Sequence, residues 1–311
     1  MLAVLWLVAF LVLSRGQINP LAAGQDATYT RQFPNRAAGD DYLVGAFYYP
    51  WYGPARDKWQ DGYAQVPALG EYDSADPKII DQQIDLATGH GVDFFLVSWW
   101  GPDSREDQIL RTSFLASPLI GDITFAINYE SVGRLIVHDG RISLDDPRNR
   151  EILASDFRYL ARTYWANPHY LKIDGGDVVF LYSSNAFTGD VAGEMRDLRT
   201  QASKEGYQIY LIGDEVNWDG PAQTETSQLK AFDAISAYSM YTTNTDVLGD
   251  FTDDVSAEYS RWEQAAKALG VTFVPDAIPG FDDRRVRPSA GHPPLPPTTA
   301  LFQGQVDLAL A

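Results

Sequence analysis

From Tyr42 onward the chain alternates short apolar runs, rich in β-branched and aromatic residues, with longer amphipathic stretches. That alternation is the mark of repeated βα units around a parallel sheet. The pattern predicts strands over 43–50, 92–100, 123–130, 177–183, 208–214, 232–240 and 271–278. It predicts helices over 77–89, 103–115, 147–165, 191–205, 225–231 and 256–269. Asp76 before Pro77 reads as an N-cap followed by proline at the first helical position. Gly91, Gly206 and Gly270 stand where helices should stop. The proline-rich stretch 288–297 reads as one long loop after the seventh strand.

Seven strands, a loop and a further helix are one strand short of a (β/α)8 barrel. Phe302, Val306, Ala309 and Leu310 fall at i, i+4, i+7 and i+8, which gives that last helix an apolar face. The expected fold is therefore α/β: a TIM-type barrel with seven strands present and the eighth missing, from a C-terminally incomplete chain. An open sheet ending in a ragged helix is the alternative.

Ahead of the barrel, Leu2 to Leu13 is an apolar run of about a dozen residues, shorter than the roughly 20 that a spanning helix needs. It suits the h-region of a signal peptide, with Leu21-Ala22-Ala23 as a small-residue cleavage site. No Lys or Arg precedes the run and Arg15 follows it, so an uncleaved anchor stays open. The expected organisation is a signal peptide or N-terminal anchor over 1–23, a polar linker over 24–41 and the barrel over 42–311. The protein is expected to be exported: extracellular, periplasmic or anchored through its N-terminal segment.

Composition narrows the function. With 45% hydrophobic and 21% charged residues over 311 positions, the chain is a folded protein and not a disordered one. A net charge of −18 repels phosphate backbones and anionic lipid, so neither nucleic acid nor a membrane surface is an expected partner. The absence of cysteine excludes disulfides, thiolate metal sites and thiol nucleophiles. No glycine-rich phosphate loop follows a predicted strand, and His90, His138, His169 and His292 show no metal-binding spacing. No cofactor and no metal are expected; the chain is expected to act as a monomer.

In barrels of this kind function sits at the carboxyl ends of the strands. Those ends gather aromatic rings and carboxylates, a combination suited to the C–H faces and hydroxyls of sugars. The candidate substrate-binding residues are Tyr49, Trp51, Trp99, Trp100, Glu130, Tyr182, Tyr238, Asp282, Asp283 and Arg287. Strand alternation lets only one of Tyr48 and Tyr49, and one of Trp99 and Trp100, face the interior. Glu130 is either a hydroxyl ligand or the partner of an arginine that braces the rim. Asp282 and Asp283 bind sugar or form a turn, and Arg287 pairs with one of them or touches sugar. Asp214 and Glu215 form a carboxylate pair at a strand end, yet consecutive residues point to opposite faces. Asp250, Asp253 and Asp254 read as a solvated acidic loop, and His169 as structural.

At these same residues the chain resembles glycoside hydrolase family 99. The likeness is carried by Gly45-Ala46-Phe47-Tyr48-Tyr49-Pro50-Trp51-Tyr52-Gly53, by Leu69-Gly70-Glu71-Tyr72-Asp73-Ser74 and by Gly91-Val92-Asp93-Phe94-Phe95-Leu96-Val97-Ser98-Trp99-Trp100-Gly101-Pro102. Asn167-Pro168-His169-Tyr170-Leu171-Lys172 and Pro279-Gly280-Phe281-Asp282-Asp283, with Val286-Arg287-Pro288, extend it over 43–288. The resemblance implies a retaining hydrolase that acts inside α-mannosyl chains with two glutamates. One removes the proton from the sugar 2-hydroxyl and the other is a general acid. The family places that pair in a Glu-Trp-His-Glu type motif on the last barrel strand, and this sequence contains none. The catalytic pair is thus expected beyond Ala311, and the chain as given is expected to be inactive. Gln83-Ile84 and Asn128-Tyr129-Glu130 depart from the family's His-Ile and His-Ile-Glu-Pro patterns, which puts the glycan contacts in doubt. The expected function is a glycoside hydrolase acting on α-mannosides or a related polysaccharide. A non-catalytic carbohydrate-binding barrel and a protein of cell-surface polysaccharide assembly are the alternatives.

Overall fold

Seven parallel strands lie side by side in chain order: β1 (Gly45–Tyr48), β2 (Phe94–Trp99), β3 (Thr124–Tyr129), β4 (Gly176–Leu181), β5 (Ile209–Asp214), β6 (Ala234–Ser236) and β7 (Thr272–Val274). The computed structural model describes residues 29–33, 42–54, 58–61, 67–224 and 226–310. The expected signal segment 1–23 and most of the linker 24–41 lie outside the described residues. Within that linker, residues 29–33 lie against the first helix, where Tyr29 Oη and the Gln32 amide both donate to Asp85, at 2.9 and 2.6 Å.

The sheet curls into an open barrel. Although β1 and β6 are far apart in strand order, the Phe47 ring lies 4.9 Å from that of Tyr238, and the Tyr49 and Tyr238 hydroxyls are 2.5 Å apart. Such contacts across the interior require curvature. Among the described residues the parallel sheet contains these seven strands, and only the two-residue strand Lys172–Ile173 joins it antiparallel, at the start of β4.

Strand alternation sorts the side chains into two layers. In β2, Phe95, Val97 and Trp99 turn outward to the helices, while Leu96 and Ser98 turn inward. The outer layer packs Ile80 and Ile84 of helix Pro77–Gly89 with Phe95, Phe114, Phe125, Phe157 and Leu160. Burying each such side chain contributes about 1.5–3 kcal/mol. The capping reading holds for the first helix, where the Asp76 side chain accepts from the Lys78 amide.

Several boundaries differ from the sequence pattern. Helices Arg105–Ile109 and Pro147–Leu160 each end in a widened π-turn, Leu110–Phe114 and Ala161–Trp165, so one amphipathic period hides two hydrogen-bonding registers. Strands β6 and β7 are only three residues long. The acidic residues read as a solvated loop are a correction: Asp250 is the N-cap residue of helix Phe251–Leu269, with Asp253 and Asp254 in its first turn. Carboxylates are favoured there by the helix dipole.

Among the described residues no helix is long and apolar enough to cross a membrane.

Candidate functional site

Parallel register builds the site in tiers. Ser98, Asn128 and Phe180 are aligned neighbours on β2, β3 and β4, facing inward. Two residues further along stand Trp100, Glu130 and Tyr182, with Asp214 at the end of β5 and Tyr238 just after β6. Of this tier Tyr182, Asp214 and Tyr238 line a cleft of about 450 Å³ together with Ser183, Asn217 and Ser239, whereas Trp100 and Glu130 are not among the residues that line it. The far wall is Tyr241, Thr242, Phe281, Arg287 and His292.

Glu130 is buried and held by neutral groups. Ser98 Oγ donates to its Oε1 at 2.6 Å and Asn128 Nδ2 at 3.1 Å, while Trp100 Nε1 donates to Ser98 Oγ at 3.0 Å. Burial pushes the Glu130 carboxyl up to about 8, against the pull of the Ser98 bond and with help from Glu106 and Asp214. At neutral pH it is largely a carboxylic acid, able to donate a hydrogen bond as well as accept one. Ser98 and Asn128 stand where the arginine reading would have required a guanidinium.

Asp214 and Glu215 do face opposite ways. Asp214 points into the cleft and accepts from the Ser183 and Tyr238 amides, each at 2.8 Å; burial pushes its carboxyl up to about 7. Glu215 turns outward to Ser184 Oγ and Gln228 Nε2, at 2.6 and 3.0 Å, and burial raises it to about 8. The two cannot work on one bond.

The aromatic candidates divide in the same way. Tyr182 and Tyr238 are half-buried, line the cleft and meet edge to face at 4.6 Å. Tyr49 is buried, stacks on Trp51 at 4.7 Å and reaches the cleft through its hydroxyl on Tyr238. Trp51 lies buried between Tyr49 and Trp100 and belongs to the floor. Trp100 is half-buried on the inner side. Its ring rests on Gly133, where a Cβ would stand 2.3 Å from it. Trp99 is a correction: it is fully buried behind the sheet, with Nε1 bonded to Asp107 at 2.8 Å, because alternation assigns it the helix side.

On the loop after β7 the turn readings hold. Asp282 accepts from Arg284 Nε and Nη2, at 2.9 and 2.7 Å, and from the Arg284 amide, and Arg284 holds its carboxyl below the usual range. Asp283 is buried under Arg287 Nε, at 3.2 Å, and His292 Nδ1, at 2.8 Å, so it reaches no ligand and is a correction as a sugar-binding residue. Arg287 both pairs with Asp283 and lines the cleft.

Several lining residues lay outside the sequence reading: Ser183, Asn185, Asn217, Ser239, Tyr241, Thr242 and His292. They follow the ends of β4, β5 and β6, so the strand-end rule could have supplied most of them. His292 enters from the proline-rich loop, tied down where Phe281 and Leu295 pair and Tyr241 Oη donates to the Pro293 carbonyl at 2.6 Å. Among the described residues no cluster of His, Asp and Glu could hold a metal ion.

The curled parallel sheet with its surrounding helices is the open part of a (β/α)8 TIM-type barrel, with an aromatic, hydroxyl-rich and carboxyl-bearing cleft at its carboxyl end. Within that class the chain is a family 99-like protein, similar in sequence and in fold. Glycoprotein endo-alpha-1,2-mannosidase of Mus musculus is 22% identical over 80% of this chain, and that of Rattus norvegicus is 20% identical over 80%. The chain spans 58% of the length of these curated relatives. A solved structure described as a glycoside hydrolase-like protein superposes with a TM-score of 0.74 at 18% identity, covering 91% of this chain and 83% of its own. Two structures of the GH99 endo-alpha-mannosidase from Bacteroides thetaiotaomicron superpose at 0.65 and 0.61, with 20% and 19% identity. Each covers 86% of this chain, and 79% and 80% of its own respectively. No family model matches the chain.

Proposed function

We propose that this chain forms the glycan-binding face of a retaining glycoside hydrolase acting on α-mannosides or a related polysaccharide. One observation carries the reading: the cleft offers Tyr182 and Tyr238 as ring surfaces beside the Asp214 carboxyl, with Glu130 buried next to them, and burial raises both carboxyls toward neutrality. Rings take the C–H faces of a sugar, and a protonated carboxyl can donate to a ring hydroxyl or accept from it. The names of the similar proteins point to α-mannosides as the glycan to try first. Trp100, Glu130, Tyr182, Tyr238 and Arg287 are the residues proposed to touch it, with Tyr49 and Trp51 beneath them.

The resemblance assigns hydrolysis to a glutamate pair three residues apart, and this sequence contains no Glu-x-x-Glu. A second reading is a barrel that binds glycan without cleaving it. One assay separates the two. The chain is incubated with α-1,2-linked manno-oligosaccharides and followed by proton NMR. Appearance of a new α-anomeric product supports the retaining hydrolase; line broadening of the sugar without cleavage supports the binding barrel; an unchanged spectrum contradicts both. Export is proposed from the apolar run Leu2 to Leu13 and the Leu21-Ala22-Ala23 site.

A further inference from the structure

Asp214 stands at the end of β5, between the two strands that deliver the cleft tyrosines. Each of its carboxylate oxygens is taken by one backbone amide: Oδ2 accepts from Ser183 on the β4 side and Oδ1 from Tyr238 on the β6 side, both at 2.8 Å. Ser183 is the residue directly after Tyr182, and it adopts the left-handed conformation, φ +54° and ψ 35°. For a residue with a Cβ that conformation is strained and persists only where surroundings enforce it. Tyr238 is at the other end of the same clamp. Its ring meets Tyr182 at 4.6 Å and its hydroxyl meets that of Tyr49 at 2.5 Å.

We propose that Asp214 is the positioning residue of the cleft, clamping the Ser183 and Tyr238 amides and thereby fixing the arrangement of Tyr182, Tyr238 and Tyr49 that a ligand meets. Ionised, the carboxylate serves both amides as an acceptor. Protonated, one oxygen becomes a hydroxyl, its acceptor strength falls and the clamp loosens. With burial raising Asp214 to about 7, the arrangement tightens as pH rises through neutrality. The charged and titratable groups around Asp214 are Glu130 from β3, Asp276 after β7, the Tyr182 and Tyr238 hydroxyls, Arg287 and His292 from the loop that lines the same cleft, and, on the other face of the sheet, Glu215. Burial raises Glu130, Glu215 and Asp276 as well, and Asp276 adds like-charge repulsion at Asp214. The glycan reading enters only in naming what the cleft receives; the clamp itself is read without ligand.

The test compares the full chain with Asp214→Asn, whose amide keeps one acceptor oxygen and does not titrate. In the native chain the near-ultraviolet circular dichroism of the tyrosines is expected to change reversibly with a midpoint near pH 7. Asp214→Asn should abolish that midpoint and speed amide exchange at Ser183 and Tyr238 by about tenfold or more, while amides in β2 stay protected. An unchanged midpoint, or unchanged exchange at both amides, overturns the proposal. Should the variant not fold, the native chain alone decides: the Ser183 and Tyr238 amide shifts must titrate with one shared midpoint, and separate midpoints overturn the clamp. Calorimetry with α-1,2-mannobiose runs alongside. If the native chain does not bind it, the glycan reading fails, whereas the spectra still decide on Asp214.

Discussion

Buried carboxylates on opposite faces of the sheet show how one chemical group is put to different use. Behind the sheet, Asp107 accepts from Trp99 Nε1, the Asp103 amide, Arg111 Nε, Tyr159 Oη and Tyr164 Oη, at 2.5 to 3.0 Å. Five donors, one of them a guanidinium, leave it no capacity for a ligand. Inside the barrel, Glu130 has a serine and an amide, Asp214 has two backbone amides, and burial raises both. Asp214 lies beside open volume, as a binding site requires, and Glu130 is buried next to it. The contrast separates scaffold from site without reference to any relative.

The sharpest way to break this contrast is Asp107→Ala. It leaves the buried Trp99 Nε1 and Tyr164 Oη without their acceptor and should destabilise the fold by about 2–5 kcal/mol, read from urea midpoints. A loss below about 1 kcal/mol would show that the hub is not structural. At the inner face, Glu130→Ala is expected to weaken glycan affinity by about tenfold, or 1.4 kcal/mol. Glu130→Gln, which imitates the protonated acid, should leave stability at pH 7 within about 0.5 kcal/mol of the parent.

The pH dependence carries a sign. Unfolded, these carboxyls titrate near 4; folded, Glu130 and Glu215 titrate near 8 and Asp214 near 7. Between those values the folded state binds more protons than the unfolded one. Their contribution to stability is therefore largest at low pH and is lost as pH rises through 7 and 8. The melting temperature should fall from about pH 5 to about pH 9, and Glu130→Gln should flatten part of that slope. A melting temperature that climbs over the same range would contradict the assignment of neutral inner carboxyls. Tyr238→Phe, which removes one hydroxyl contact, should lower stability by about 0.5–1.5 kcal/mol.

Periodicity was a good guide where many residues vote and a poor one where a single residue decides. All seven strands and the first helix follow from alternation and capping, because each is set by several buried positions at once. The π-turns do not, since Tyr164 is aimed at Asp107 by one shifted hydrogen bond that leaves no trace in hydropathy. At the site, the strand-end rule found Glu130, Tyr182 and Tyr238 but could not choose between Trp99 and Trp100, whose chemistry is identical and whose side of the sheet depends on register. Asp283 misled for a related reason: its partners Arg287 and His292 come from four and nine residues on, and only the folded loop closes them over it. Asp214 was visible as a carboxyl at a strand end, but its clamp on two neighbouring strands is a property of the sheet.

The measurement that bears most directly on the account is calorimetric titration of the chain with an α-1,2-linked manno-oligosaccharide, run in parallel on Glu130→Ala and on Tyr182→Ala. Saturable binding to the native chain that falls by about tenfold or more in both variants is the predicted result. No binding to the native chain, or binding that neither substitution changes, would contradict the assignment of this cleft as a glycan site.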